Sequence, residues 1–247
     1  MPNTLTPERR QQLQRLLERI GIDPSAPAFE AADAPGLSAV DEALTHTSAG
    51  LPLNHEQLEF LGDAVLRLAA SEYLERHHPQ LSVGERSALR SQLVSDRWLA
   101  DVGEAIAISD AIRIGHKASG DPTAAATLRA EATEALIGAL YRASGSLEPI
   151  HRWLTPSWAH TSSAVLSDPH RGNSKSALQE WSQAKGLGLP DYRTTEKSQR
   201  HGDPRRFHCR VTLKNAPSAE GWGGSRRQAE QEAARAAFEQ IRPARES

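Results

Sequence analysis

The chain has very little cysteine and no long apolar run, and these absences exclude several classes of protein. A single cysteine, Cys209, among 247 residues excludes an internal disulfide and a cysteine-based zinc site. No apolar stretch approaches the about 18 residues that a transmembrane helix needs. The start, MPNTLTPERR, lacks the apolar core of a secretory signal, and the chain shows neither a Gly-rich phosphate loop nor a nucleophilic triad. We therefore expect a cytoplasmic protein without membrane association or a small-molecule cofactor.

Charge is distributed unevenly along a chain whose net charge is only −2. Residues 1–168 carry 14 Lys and Arg against 22 Asp and Glu, whereas residues 169–247 carry 15 against 9. An acidic front and a basic tail suggest two modules with different partners, although chance alone could scatter charge in this way. The stretch between them is rich in Ser, Pro, Gly and Asn. We therefore predict a first domain at 1–158, a linker at 159–173 and a second domain at 174–243.

Hydrophobic periodicity predicts an all-α first domain, because its apolar residues recur at helical spacing and no convincing strand pattern interrupts them. The segment GIDPSAPAFEAADAPG at 21–36 is expected to be a loop. The predicted helical segments are PERRQQLQRLLERIG at 7–21, LSAVDEALTHTS at 37–48, HEQLEFLGDAVLRLAASEYLERHHP at 55–79, VGERSALRSQLVSDRWLADVGEAI at 83–106 and AAATLRAEATEALIGALYRAS at 124–144.

The pattern changes after the linker and predicts a small α+β domain in the order α-β-β-β-α. Apolar and polar residues alternate strictly in RRFHCRVTL at 205–213, which is typical of a half-buried strand. YRTTEKSQR and AEGWGGS are its predicted neighbours. A short helix in NSKSALQEWSQAKG precedes them, and SRRQAEQEAARAAFEQI, with Ser225 as its N-cap, closes the domain as a helix.

Carboxylates inside two apolar helices are the strongest functional signal in the first domain. Glu56, Glu59 and Asp63 stand at i, i+3 and i+7 of HEQLEFLGDAVL, which stacks them on one helical face. Glu131 and Glu134 form a similar pair in RAEATEALIGAL. A solvated acidic stripe is the usual explanation of such spacing, but the apolar arc is too wide for a surface helix. Several converging carboxylates repel unless a hard cation such as Mg²⁺ binds among them. Mid-helix Gly62 predicts a close approach of another helix.

These motifs resemble the ribonuclease III family. HEQLEFLGDAVL is similar to its signature, usually met as NERLEFLGDAVL, while ALTHTS at 43–48 resembles ALTHRS and EALIGALY at 134–141 resembles EALIGA. The resemblance covers nearly the whole chain. It implies a homodimeric endoribonuclease that hydrolyses double-stranded RNA and leaves short 3′ overhangs, with roles in processing ribosomal and messenger RNA precursors and in RNA decay.

The resemblance also implies a metal cluster of Glu59, Asp63, Glu131 and Glu134, which bind Mg²⁺ with Mn²⁺ as a substitute. Asp63 and Glu134 are the implied catalytic residues, and Glu56 is implied to handle RNA near the cut. Glu131 departs from the family, which has aspartate at this place. Because the longer side chain moves the carboxylate outward, the alternative is a dimer that binds double-stranded RNA and has weakened or lost cleavage. A purely structural RNA-assembly dimer is a third alternative.

The C-terminal third resembles a double-stranded RNA-binding domain, a module that reads duplex shape through phosphates and 2′-hydroxyls. Arg226 and Arg227 open the last helix, where backbone N–H groups favour phosphate. Gln179 and Glu180 are the expected minor-groove contacts, and His201 is expected in a third contact region. Glu230 falls where these domains often carry a basic residue.

Overall fold

The computed structural model describes residues 5–30, 35–115, 122–167, 174–200, 203–214 and 216–241, and it divides the chain into two compact units at Ala164 and Val165. Across the described residues, none of the helices has the length and apolar character required to cross a membrane.

The first unit is helical, as the periodicity predicted. Its helices are α1 (Pro7–Arg19), α2 (Pro27–Glu30), α3 (Pro35–Ala43), α4 (Glu56–His77), α5 (Val83–Leu93), α6 (Asp96–Ala105), α7 (Pro122–Ser144) and α8 (Glu148–Ser167). Helix α7 is central, because α3, α4 and α6 all pack on it. Its segment 135–140, ALIGAL, is buried at every position, as expected for a helix surrounded by others.

Three details of the helical prediction are wrong. The predicted helix at 37–48 ends at Ala43, because Thr45 forms a bridge with Arg113 and a 3₁₀ turn follows at Thr47–Ala49. The predicted helix at 83–106 breaks after Leu93, since the Ser95 side chain caps α6 by accepting from the Trp98 N–H. The predicted loop at 21–36 contains α2 and the start of α3.

Helix α8 was not predicted, and it occupies the beginning of the predicted linker. Residues 159–167 continue this helix, so the first part of the predicted linker is helical. The helix persists because Trp158 and Ser162, one turn apart, are both fully buried. The Trp158 indole N–H donates to the Leu93 carbonyl over 3.2 Å. A composition rich in Ser, Pro, Gly and Asn indicated a linker, but residues 159–167 belong to a packed helix.

The second unit has the predicted α-β-β-β-α order. Its elements are α9 (Ser174–Ala184), β1 (Asp191–Glu196), β2 (Phe207–Thr212), β3 (Ala219–Gly223) and α10 (Arg226–Ile241). The strands form an antiparallel sheet in the order β1-β2-β3. Cys209 and Val211 of β2 point into the core, as the alternation predicted. Helix α10 packs tightly on β3, since a Cβ on Gly221 would lie 2.2 Å from the Ala233 backbone nitrogen.

Candidate metal centre and RNA-binding surface

Two glycines bring α4 and α7 into backbone contact. A Cβ on Gly62 would lie 1.9 Å from the Glu134 carbonyl oxygen, and one on Gly138 would lie 2.1 Å from the Leu58 carbonyl oxygen. Both distances are far below any contact that a real side chain makes, so only glycine fits at these places. The predicted role of Gly62 in a close helix approach is therefore confirmed, and the partner helix is α7 of the same chain.

This crossing brings the four predicted metal ligands into one electrostatic cluster. Glu59 and Asp63 lie one turn apart on α4, Glu131 and Glu134 lie one turn apart on α7, and all four are half-buried. Burial, followed by the charges of Asp63 and Glu59, raises the pKa of Glu134 to about 7. Burial and the charge of Glu131 likewise raise the pKa of Glu59. The side chains thus experience the mutual repulsion that a bound cation would relieve.

Glu56 occupies a different position from these four acids. It is the first residue of α4 and is exposed, and its charge contributes to the raised pKa of Glu59. An exposed carboxylate at the edge of the cluster is accessible to a large ligand.

Two further charged residues belong to the surroundings of the cluster and were not found in the sequence. Asp96, the first residue of α6, adds to the charge that raises the pKa of Glu134. Arg67, one turn after Asp63, contacts the Asp63 Oδ1 at 2.6 Å. Its positive charge lowers the pKa of Glu134 and so partly offsets the effect of the surrounding carboxylates. The i, i+4 spacing of Asp63 and Arg67 was a signal that could have revealed this ion pair.

A buried histidine adjoins the acids and was also missed. The Nε2 of His55 lies 3.4 Å from a Glu59 carboxylate oxygen and 3.7 Å from one of Glu131. His55 is 5% exposed, and its ring stacks on that of His46 with centroids 5.1 Å apart. Ligand atoms of His46, His55 and Glu131 lie within 4.8 Å of one another. His55 precedes Glu59 by four residues, which is the signal in the sequence.

Comparison with known proteins identifies the family. Residues 38–151 match the family described as Ribonuclease-III-like, and residues 174–241 match the double-stranded RNA binding motif. Ribonuclease 3 of Prochlorococcus marinus is 56% identical over 205 residues, which cover 83% of this chain and 82% of that protein. The chain belongs to the ribonuclease III family.

Other ribonuclease III proteins align over nearly the full length. Ribonuclease 3 of Gloeobacter violaceus is 40% identical over 98% of this chain and 96% of its own length. Among solved structures, the nuclease domain of ribonuclease III from Campylobacter jejuni is similar, with 27% identity and a TM-score of 0.48. The matched region covers 59% of the present chain and 91% of the Campylobacter chain. Family and RNA-binding motif together support an endoribonuclease that acts on double-stranded RNA.

Four of the predicted RNA contacts of this ribonuclease III chain lie on the two helices of the second unit. Arg226 and Arg227 are exposed in the first turn of α10, and the Ser225 hydroxyl caps that helix by accepting from the Gln228 N–H. Gln179 and Glu180 are exposed on α9. His201 lies outside the described residues.

Glu230, which stands where these domains often carry a basic residue, has a cationic partner. Its carboxylate pairs with the Lys175 ammonium of α9 and accepts from the Thr194 hydroxyl at 3.2 Å. The ion pair joins α9 to α10 one turn beyond Arg226. The negative charge of Glu230 is therefore partly neutralised by Lys175.

Proposed function

We propose that the chain is a Mg²⁺-dependent endoribonuclease that hydrolyses phosphodiester bonds in double-stranded RNA and leaves short 3′ overhangs. The main support for this proposal is the convergence of half-buried Glu59, Asp63, Glu131 and Glu134 where α4 and α7 cross in backbone contact at two glycines. Processing of ribosomal and messenger RNA precursors, and RNA decay, are the expected roles of such an enzyme in this family.

The four carboxylates fit Mg²⁺ because this ion prefers oxygen ligands. When bound, Mg²⁺ activates water and stabilises the charge that develops on the phosphate; Mn²⁺ is the expected substitute. Asp63 and Glu134 are the proposed catalytic residues. In the metal-free protein burial raises the pKa of Glu134 to about 7, so a substantial fraction of this carboxyl is protonated near neutral pH and must lose its proton to bind metal.

Substrate binding is proposed for the second unit and for the edge of the acidic cluster. Arg226 and Arg227 would contact phosphates at the start of α10, while Gln179 and Glu180 would face the minor groove. His201 remains a proposed contact. Exposed Glu56 would orient RNA beside the cluster.

A homodimer is proposed from the surface of α4. Phe60 is 85% exposed and Leu68 is 54% exposed, although both stand on a helix whose other apolar residues are largely buried. Large apolar side chains exposed together on one helix are typical of a protein interface. Dimerisation through this surface would bring two clusters into one particle, so that each could cut one strand of a duplex.

Cleavage and binding can be separated with a long, end-labelled RNA duplex. The wild type should produce fragments in Mg²⁺ and none in EDTA, whereas Asp63→Asn should bind the duplex but leave it intact. Glu75→Gln is the matched control, because Glu75 is an exposed acid elsewhere on α4. Equal loss of binding and cleavage in Asp63→Asn would contradict the proposed division of labour.

The second candidate function is a dimer that binds duplex RNA with weakened or lost cleavage. Glu131 favours it, because its side chain is one methylene longer than the aspartate of the family and its carboxylate lies beside the His55 Nε2, 3.7 Å away. Glu131→Asp distinguishes the two candidates. A sharp rise in cleavage by this variant would show that the native glutamate impairs the site, and unchanged or reduced cleavage would show that it is accommodated.

A further inference from the structure

An ion pair between Lys175 and Glu230 joins the two helices of the second unit. These side chains are only 35% and 22% exposed, whereas Arg235 and Glu232, which pair within one turn of α10, are 57% and 40% exposed. Exposed ion pairs contribute little, because both side chains move freely and water screens their charges. The shielding of the Lys175–Glu230 pair therefore makes it a fixed link between α9 and α10.

Both charged groups of this pair are also held by β1. The Glu230 carboxylate accepts from the Thr194 hydroxyl at 3.2 Å, and the Lys175 ammonium lies 4.8 Å from the centre of the Tyr192 ring. An aromatic face attracts a cation in this position. The backbone N–H of Lys175 donates to the Gln231 side chain of α10 at 3.1 Å. Three elements thus meet at one pair of charges and restrain both side chains.

The pair stands beside the proposed RNA contacts on both helices. Lys175 precedes Gln179 by one turn of α9, and Glu230 follows Arg226 by one turn of α10. Residues four positions apart lie on the same face of a helix. The ion pair therefore ties α9 to α10 within one turn of the side chains that are proposed to contact the minor groove and the phosphates.

Apolar packing gives the two helices little resistance to sliding at this end. The side chains that α10 buries along its first three turns are small, namely Ala229, Ala233, Ala234 and Ala237. Larger side chains meet further along, where the ring centres of Trp181 and Phe238 are 6.2 Å apart. A methyl group makes few contacts compared with a larger side chain. The spacing of α9 and α10 near the proposed RNA contacts therefore depends on the ion pair.

We propose that the Lys175–Glu230 pair sets the spacing between α9 and α10 and so determines how strongly the second unit prefers double-stranded RNA to other duplexes. A reader of duplex shape must occupy a minor groove and the neighbouring phosphates at the same time. Helices held at one spacing are preorganised for one duplex geometry. Lys175 acts through Glu230 as a positioning residue and does not itself contact phosphate. The inference rests on the proposed RNA contacts of these two helices.

Fluorescence anisotropy of the full chain in EDTA measures binding to a double-stranded RNA and to an RNA–DNA hybrid of the same sequence. Glu230→Gln is the decisive variant, because the loss of a negative charge near RNA would tighten binding if the ion pair had no role. We expect the opposite, a loss of about fivefold in affinity for double-stranded RNA with little change for the hybrid. Glu232→Gln, the same change in an acid that pairs within α10, should not weaken binding.

Exchange of the two charges separates positioning from direct contact. The double variant Lys175→Glu with Glu230→Lys keeps an ion pair between the helices and should restore the affinity for double-stranded RNA to within about twofold of the wild type. Lys175→Met removes the cation. It should weaken binding without changing the salt dependence, because no phosphate contact is lost.

Three results would overturn the proposal: undiminished RNA binding by Glu230→Gln, failure of the charge exchange to restore binding, or a salt dependence that falls by about one phosphate contact in Lys175→Met. If circular dichroism shows that either variant at Lys175 is unfolded, Glu230→Gln decides. A wild type that does not bind double-stranded RNA would reject the proposed function and this inference with it. Normal binding by the wild type and by all three variants would reject the role of the ion pair alone.

Discussion

The carboxyl group of Glu134 should destabilise the metal-free protein, and Glu134→Gln should remove this cost. The pKa of Glu134 is about 7 in the fold instead of the usual 4.5. A folded state that holds its proton more tightly than the unfolded chain loses stability as pH rises between these two values. Below about pH 4.5 the carboxyl is protonated in both states and costs nothing; above about pH 7 the cost is complete.

The magnitude follows from the same pKa. Each pKa unit corresponds to about 1.4 kcal/mol, which gives an upper limit of about 3 kcal/mol. Glu134 is only half-buried, so solvent screening reduces the expected cost to about 1–2 kcal/mol. Glu134→Gln should therefore be more stable than the wild type by about 1–2 kcal/mol at alkaline pH, and the difference should vanish near about pH 4.5.

Urea denaturation in EDTA, followed by far-ultraviolet circular dichroism across this pH range, measures the difference. Added Mg²⁺ should then make the wild type the more stable of the two proteins. A Mg²⁺ concentration of about a hundred times the dissociation constant raises the free energy of unfolding of the wild type by about 2.7 kcal/mol, and it stabilises a variant that has lost a ligand by less. Glu75→Gln, an exposed change on α4, should stay within about 0.5 kcal/mol of the wild type. If Glu134→Gln is equally stable or less stable at alkaline pH, the carboxylate is not strained and the reasoning fails.

Three other outcomes follow from the structure. Gly62→Ala should destabilise the protein by about 3 kcal/mol in urea denaturation, because the new methyl group meets the α7 backbone. Gly84→Ala, the control with open space around it, should be neutral or stabilising. Equal effects of the two changes would contradict the backbone contact. Replacing Arg226 and Arg227 with Gln should lower the salt dependence of duplex binding by about two phosphate contacts, as measured by filter binding at several salt concentrations; an unchanged slope would exclude both arginines from the interface. Phe60→Ser should shift sedimentation from dimer towards monomer, and a persistent dimer would place the interface elsewhere.

Local patterns in the sequence were sufficient for the class of each unit and for the two helices that carry the acids, whereas the choice of four acids came from the resemblance to the family. Helical spacing placed Glu56, Glu59 and Asp63 on one face and Glu131 with Glu134 on another helix, and mid-helix Gly62 indicated a close approach of another helix. Alternation in 205–213 identified the central strand. Each of these features is determined within one helix or strand, where periodicity is informative.

Features that depend on contacts between residues far apart in the chain could not be predicted from local sequence patterns. His55 approaches Glu131 across 76 positions of the chain, and no spacing rule connects two such residues. Helix α8 was missed because its stability comes from Trp158 and Ser162 buried against other helices, whereas its local composition resembles a linker. In both cases tertiary packing decides what local preference leaves open.

Contact between the backbones of α4 and α7 leaves the site with a fixed frame. The helices cannot move closer, because the Gly62 and Gly138 positions already touch carbonyl oxygens, and separating them would open the core. The additional methylene of Glu131 must then be absorbed by rotation of its own side chain. Changes in metal preference within this scaffold should therefore arise by exchanging side chains around a rigid crossing, and the two glycines should tolerate replacement less readily than the ligands themselves.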